Sequence, residues 1–345
     1  SYLFYRFATM NNKTLLEVKN LTVIDQTTNN TILNNISFSI KNNEILGIVG
    51  ETGSGKTITG LSIINLLTSN RLKLNGTINF HYQNNIINLI ELDKKSIRFF
   101  RGKHIGMIFQ EPMTSLNPAF TCGNQIVEML IHHSNYSIKA AKQKAIHLLE
   151  RVKINDPVKV FNSYPHQISG GQQQRVMIAM TLSVNPKLVI ADEPTTALDV
   201  TVQKEILELI IDIKNSLGIS FIFISHDLNV VAQVVDNILV LYKGNIVEYN
   251  NKHEIFRNPQ NSYTKALILC RPSNNNKNKY LPTIDSYNKE QPERNINTNY
   301  SENILKVENL SVNYTIQKNF FEKITKQHKA LKNISFDVYK GQTLG

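Results

Sequence analysis

The sequence predicts an α/β fold built around a mainly parallel sheet, and three observations carry that prediction. Short apolar runs recur at residues 44–49, 188–191, 219–224 and 238–242. Helical periodicity lies between them: Val202, Ile206, Leu209 and Ile213 repeat on one helical face. A glycine-rich segment, residues 50–57, follows one apolar run and precedes a helix-like run at 58–67. Parallel strands need crossover helices, so strands alternating with helices point to a parallel sheet.

The chain has 345 residues. At roughly 150 residues per domain this suggests about two domains, large enough to hold a core without disulfide or metal staples. Hydrophobic residues are 41% and charged residues 19%, which excludes wholesale disorder and collagen-like repetition. Cys122 and Cys270 are the only cysteines and form no C-x-x-C pair. A disulfide scaffold and a four-cysteine metal or iron–sulfur site are therefore excluded within this chain, and a reducing cytoplasm is expected. The net charge of +11 could mark a nucleic-acid or anionic-membrane partner, but the lysines are scattered and form no basic block. The charge is read as compositional. No apolar stretch reaches the roughly 18 residues of a membrane span. The best one, 230–242, is broken by Gln233, Asp236 and Asn237. Residues 1–13 are set apart as an unassigned extension, because the first methionine is Met10 and no signal-peptide core precedes it.

A block repeats within the chain. Residues 16–23, Leu-Glu-Val-Lys-Asn-Leu-Thr-Val, match residues 305–312, Leu-Lys-Val-Glu-Asn-Leu-Ser-Val, at an offset of 289 (305 − 16). Residues 33–38 match 331–336 at an offset of 298 (331 − 33), and 45–47 match 343–345 at the same offset. The second copy thus holds nine extra residues between its matched parts (298 − 289). Both copies alternate apolar and polar residues as half-buried strands do. A repeat this long means duplicated domains rather than a solenoid. Residues 272–302, rich in Asn, Lys, Ser and Pro, read as a linker.

Residues 50–57, Gly-Glu-Thr-Gly-Ser-Gly-Lys-Thr, fit G-x-x-x-x-G-K-[ST] between a strand and a helix. Gly50, Gly53 and Gly55 let the backbone approach a ligand, and amides at a helix N-terminus make an anion nest. Lys56 can reach the β- and γ-phosphates of a nucleotide, and the Thr57 hydroxyl can ligate Mg²⁺. Glu51, Thr52, Ser54 and Ile58 complete the expected ATP-binding segment. Residues 188–194, Leu-Val-Ile-Ala-Asp-Glu-Pro, form an apolar strand ending in two carboxylates. Ligands gather at the carboxyl ends of parallel strands. Asp192 is placed to hold Mg²⁺ and Glu193 to polarise an attacking water. Ser169, Gly170, Gly171 and Gln172 open a helix and offer a second anion site.

In this setting residues 168–172, Ile-Ser-Gly-Gly-Gln, resemble the Leu-Ser-Gly-Gly-Gln signature of the ATP-binding cassette (ABC) family, with isoleucine for leucine. The resemblance covers residues 15–271 and resumes at Asn303. It implies a P-loop NTPase with a RecA-like parallel-sheet core, an N-terminal antiparallel β-subdomain and a helical signature subdomain. It also implies that the signature acts in trans, on ATP held by an opposing cassette. By the same resemblance Gln110 joins Mg²⁺ and the attacking water. Asp199 belongs to the dimer-interface loop, and His226 is the switch histidine that contacts the γ-phosphate. Where the family often stacks an aromatic on adenine, this chain has Asp25, while the second copy has Tyr314 at the matching place.

Residues 109–118, Phe-Gln-Glu-Pro-Met-Thr-Ser-Leu-Asn-Pro, are similar to the peptide-importer group of the family, as are Tyr164-Pro-His-Gln and the run from Phe256 to Leu267. In some members that C-terminal extension carries a cysteine cluster. Only Cys270 stands here, so no iron–sulfur site is expected. The implied organisation is a complete cassette at 14–271, the linker at 272–302 and the truncated start of a second cassette at 303–345. The segment from Ile316 to Lys329, with Phe320-Phe-Glu-Lys-Ile-Thr-Lys326, is similar to the second cassette of fused peptide-importer ATPases. The expected function is ATP hydrolysis that energises an inner-membrane importer of oligopeptides, dipeptides or microcin C-type compounds, at the cytoplasmic face. Expected partners are membrane permease subunits, a second cassette and, indirectly, a periplasmic peptide-binding protein, with no nucleic acid. The alternatives are a soluble cassette ATPase acting on nucleic acid or ribosomes, supported only by the net charge, and an inactive truncated remnant.

Overall fold

A computed structural model describes residues 13–67, 71–134, 136–196, 198–270, 302–318 and 324–344. The extension 1–12 and nearly all of the linker 272–302 lie outside the described residues. The described chain falls into two units, one ending near Arg271 and one carrying the second copy of the repeat.

The first unit opens with β1 (Thr14–Asp25), β2 (Asn30–Lys41), β3 (Ile45–Val49) and α1 (Lys56–Ile63). Next come β4 (Leu72–Tyr82), β5 (Asn85–Asn88), α2 (Lys94–Phe100), β6 (Ile105–Ile108) and the short α3 (Pro112–Ser115). A helical stretch follows, made of α4 (Cys122–Ser134), α5 (Ile138–Arg151), α6 (Pro157–Asn162) and α7 (Gly170–Leu182). The chain then alternates through β7 (Leu188–Asp192), α8 (Val200–Leu217), β8 (Ser220–Ser225), α9 (Leu228–Val234) and β9 (Asn237–Tyr242). It closes with β10 (Asn245–Asn251), α10 (Lys252–Arg257) and α11 (Ser262–Leu269).

These strands make the two expected sheets. A six-stranded sheet runs β10-β9-β3-β8-β7-β6, and all its pairs are parallel except β10 with β9. A four-stranded antiparallel sheet runs β2-β1-β4-β5. The central strands read as unbroken apolar runs because both their faces are buried. In β8, Phe221 and Phe223 join the core on the side of the helical stretch, while Ile222 and Ile224 join the core shared with the antiparallel sheet. Ile45 and Val49 of β3 alternate with Leu46 and Ile48 in the same way.

Strand ends differ from the sequence reading by a residue at most, with Glu44 and Ile219 just outside and Asp192, Ser225 and Asn237 just inside. The helix expected at 58–67 begins at Lys56 and stops at Ile63, where Asn65 turns left-handed (φ 49°). Among the described residues no helix is long and apolar enough to cross a membrane.

The second unit is an antiparallel hairpin of β11 (Asn303–Lys318) and β12 (Ile324–Tyr339). It reproduces the first hairpin pair by pair. Val18↔Phe38, Leu21↔Ile36 and Val23↔Leu33 recur as Val307↔Phe336, Leu310↔Ile334 and Val312↔Leu331. The left-handed residues Asn20 and Asn35 recur as Asn309 and Asn333. The Asn20 N–H bond to Ser37 Oγ (2.9 Å) recurs from Asn309 to Ser335 Oγ (2.9 Å). The extra residues of the second copy lengthen both strands at the hairpin tip, where 319–323 lie outside the described residues. Burial separates the copies. Leu16 and Leu21 are 0% exposed, whereas Leu305 and Leu310 are 50% and 41% exposed.

Candidate nucleotide site

The strand order places the candidate groups side by side. In β3-β8-β7-β6, the carboxyl ends lead into Gly50, His226, Glu193 and, one residue beyond Phe109, Gln110. Four segments separated by up to 176 residues (226 − 50) therefore meet at one edge of the sheet. Gln110, Glu193 and His226 line a cavity of about 470 Å³ with Thr52, Gly53, Gly55, Lys56 and Thr57 of the glycine-rich loop and with Ile58.

The glycine-rich loop needs its glycines. Gly50 and Gly55 have φ of 155° and 105°. A side chain at Gly50 would run into the Leu241 carbonyl, and one at Gly55 would strike Leu33. Lys56 is 5% exposed, and its ammonium donates to the Gly50 and Glu51 carbonyls, both at 2.8 Å. Burial lowers its pKa, opposed by the carboxylates of Glu193, Asp192 and Glu51. A cation held in a dry, amide-lined loop is suited to an anionic ligand. Ser54 Oγ is buried without a hydrogen-bond partner in the same loop.

The Thr57 hydroxyl donates to Asp192 Oδ1 at 3.2 Å. Burial raises the pKa of Asp192, the Thr57 bond lowers it, and Glu193 nearby raises it again. Among the described residues no cluster of three or more His, Cys, Asp or Glu could hold a metal unaided. Thr57 and Asp192 thus fit a hard divalent cation that draws its other ligands from phosphate and water, which is how Mg²⁺ sites are usually built.

Glu193 stands on a strained backbone, with φ 47° in the left-handed region. Its amide donates to the Ile224 carbonyl at 2.9 Å, which anchors it to β8. Oε1 lies 3.1 Å from His226 Nδ1, and Oε2 accepts from Gln110 Nε2 at 3.0 Å. The resemblance implies that Gln110 joins metal and water, and here its side-chain amide donates a hydrogen bond to Glu193.

The signature residues lie elsewhere in the unit. Ser169 caps α7, closing a capping box in which Ser169 N donates to Gln172 Oε1 at 3.1 Å. Ser169, Gly171 and Gln172 border a separate cavity of about 430 Å³, together with Arg175 and Glu205. Gly170 is exposed on the same turn. Asp199 caps α8, accepting from Val202 N at 2.9 Å. Neither these residues nor Asp199 line the phosphate-loop cavity.

Three contributors escaped the sequence reading. Thr196 lines the cavity and donates its hydroxyl to Glu193 Oε2 at 2.9 Å. Ile32 of β2 supplies an apolar wall. The Tyr263 hydroxyl, in α11, accepts from Glu51 N at 2.9 Å, so the C-terminal extension braces the phosphate loop. Burial pushes the Tyr263 phenol up to about 12, which keeps it neutral there. No motif or spacing in the sequence singles out Thr196, and long-range contacts such as Tyr263–Glu51 leave no local signal. Asp25 and Tyr314 do occupy equivalent register positions: Asp25 pairs with Asn30 at the end of the first hairpin, and Tyr314 pairs with His328, beyond which the second hairpin continues to Lys318↔Ile324. Asp25 accepts from Arg71 Nη2 (2.7 Å) and Thr27 Oγ1 (2.6 Å), and Arg71 leads the contacts that hold its carboxyl well below the usual range. It is absent from the residues lining the cavity.

Comparison with known proteins agrees with this geometry. Residues 33–196 match the family model described as "ABC transporter". Over 320 residues the chain is 39% identical to proteins of Escherichia coli and Shigella boydii named glutathione import ATP-binding protein GsiA. The match covers 90% of this chain and 51% of each relative, so the chain spans about half their length. Among solved structures, the ATP-binding cassette MJ0796 bound to ADP and Pi is similar at 28% identity and a TM-score of 0.61, over 69% of this chain and 99% of that one. The cbiO1 protein of Clostridium perfringens, part of the ABC transporter complex cbiONQ, is similar at 26% identity and a TM-score of 0.61, over 72% of this chain and 92% of that one.

Proposed function

The chain carries an ATP-binding cassette of the ABC transporter family, and from that premise we propose that it is part of an ATPase that energises a bacterial inner-membrane importer of peptides or peptide-like compounds. The observation that carries the ATPase reading is the position of Glu193, between Gln110 and His226 and beside Lys56, Thr57 and Asp192.

In this reading the loop 50–57 binds the phosphates of ATP, with Lys56 turning from the Gly50 and Glu51 carbonyls toward the β- and γ-oxygens. Thr57 and Asp192 hold Mg²⁺, which when bound neutralises charge developing on the phosphates. Glu193 orients the attacking water, while Gln110 and His226, each in contact with one of its carboxylate oxygens, turn toward that water and toward the γ-phosphate respectively. Ser169, Gly170, Gly171 and Gln172 act on a nucleotide held by an opposing cassette. Their separation from the phosphate-loop cavity within one unit supports that division of labour. Asp199 meets the partner cassette.

The second cassette is the one begun at 303–345. Support comes from a hairpin that repeats the register, the left-handed asparagines and the asparagine-to-serine bond of the first. Peptide cargo is supported by the identity to glutathione importers, since glutathione is itself a small peptide. The partners are permease subunits in the membrane and, through them, a periplasmic binding protein. The protein works at the cytoplasmic face.

The test is reconstitution of the complete protein with its neighbouring permease and binding protein in vesicles. Peptide-stimulated ATP hydrolysis and peptide uptake are expected. ATP hydrolysis that no peptide stimulates, with no peptide taken up, would reject the transport reading.

A further inference from the structure

Thr196 sits three residues after Glu193, on the turn that leaves β7. Its hydroxyl donates to Glu193 Oε2 at 2.9 Å, and its amide donates to the Glu193 carbonyl at 3.2 Å. The turn is itself tied down: Gln203 Nε2, from α8, donates to the buried Thr195 hydroxyl at 3.2 Å. Glu193 has two other side-chain partners, Gln110 and His226, and both are exposed at the cavity. They come from the ends of β6 and β8, on other strands than Glu193. Thr196 belongs to the turn of Glu193 itself.

This difference matters for a carboxylate on a strained backbone. A left-handed φ of 47° fixes where the Glu193 side chain starts but not where its oxygens end. A group that must aim at a reacting atom needs a supporting contact that survives ligand binding. Gln110 and His226 have nucleotide-facing duties in the reading above, on which this inference rests. As they engage the ligand, the bond left on Oε2 is the one from Thr196.

We propose that Thr196 is a positioning residue for ATP hydrolysis, whose hydroxyl holds the Glu193 carboxylate in line with the attacking water. It acts through Glu193. Removing the hydroxyl therefore leaves nucleotide binding in place and lowers the chemical step.

Steady-state ATP hydrolysis by the complete protein tests this with Thr196→Val and Thr196→Ser. For Thr196→Val, kcat is expected to fall about 10- to 100-fold, as for one lost hydrogen bond to a charged group, while KM for ATP stays within about twofold. Thr196→Ser keeps the hydroxyl and is expected to keep kcat within about threefold. Wild-type kcat in Thr196→Val overturns the proposal. So does a Thr196→Ser variant as impaired as Thr196→Val, because the methyl group would then be the part that matters. Should Thr196→Val fail to fold, as judged by loss of a cooperative thermal melt, Thr196→Ala takes its place under the same criteria, and a folded variant that no longer binds ATP overturns the proposal. A parallel Glu193→Gln variant separates the two levels. Turnover that survives Glu193→Gln overturns the underlying site reading. Turnover lost in Glu193→Gln but intact in Thr196→Val overturns only the role of Thr196.

Discussion

His226 Nδ1 lies 3.1 Å from Glu193 Oε1, although the two residues leave different strands. The sheet explains the contact. Strands β7 and β8 are parallel neighbours with Asp192 paired to Ile224, so their carboxyl ends finish level. One residue past that pair on the first strand is Glu193, and two past it on the second is His226. Gln110 reaches the same point because β6 is the next strand over. The register of three strands thus assembles a site from residues far apart in the chain.

Lys56→Ala should weaken ATP binding about 10- to 100-fold, the scale of a lost charge-assisted hydrogen bond. Calorimetric titration of the complete protein with ATP measures this. The fold should persist, because Lys56 is paired only with backbone carbonyls of its own loop.

Asp192→Asn should dissociate stability from function. Burial raises the folded-state pKa of Asp192, so the folded state favours its protonated form. The associated stability is present below the ordinary carboxylate pKa of about 4 and is lost as pH rises through the raised value. Asparagine cannot ionise and still offers an oxygen to Thr57. Without nucleotide, Asp192→Asn should melt higher than wild type near neutral pH, with the gap closing toward about pH 4. Mg²⁺-dependent nucleotide binding should fall in the same variant. Thermal melts across pH and binding with and without a chelator check both halves.

Gly171→Ala should strain the join between α7 and α8. The added Cβ would sit 2.7 Å from Val202 Cγ1. Overpacking of this kind costs about 1–3 kcal/mol. Trimming the obstruction with Val202→Ala should recover part of that loss, seen as coupling in a double-mutant cycle of urea unfolding.

The two hairpins should respond unequally to matched substitutions in the 345-residue chain. Leu16 is 0% exposed, so Leu16→Ala should cost about 2–5 kcal/mol. Leu305, its repeat equivalent, is 50% exposed, and Leu305→Ala should change stability by about 0.5 kcal/mol or less. Urea unfolding of both variants gives the comparison.

Much of this arrangement was legible in the sequence, for identifiable reasons. The loop 50–57 is local: its glycines, Lys56 and Thr57 are adjacent and flanked by a strand and a helix. The carboxylates of Asp192 and Glu193 were legible because a doubly buried strand is an apolar run with a sharp end. The repeat predicted half-buried strands in both copies, and the registers of the two hairpins they form follow the two offsets. What the sequence could not carry was the set of contacts between distant segments. Tyr263 braces Glu51 across 212 residues, and Gly171 packs on Val202. Neither pairing has a period or a spacing. The Thr196–Glu193 bond is close in sequence, but it depends on the left-handed turn at Glu193, where a non-glycine residue gives no warning. The exposure of Leu305 and Leu310 was likewise invisible, because their pattern is that of the buried Leu16 and Leu21.

The most direct test of the account is Glu193→Gln in the complete protein, measuring ATP affinity and turnover side by side. The account predicts affinity within about threefold of wild type and turnover lower by about 100-fold or more, since the substitution keeps the shape and removes the water-polarising carboxylate. Turnover close to wild type would contradict it.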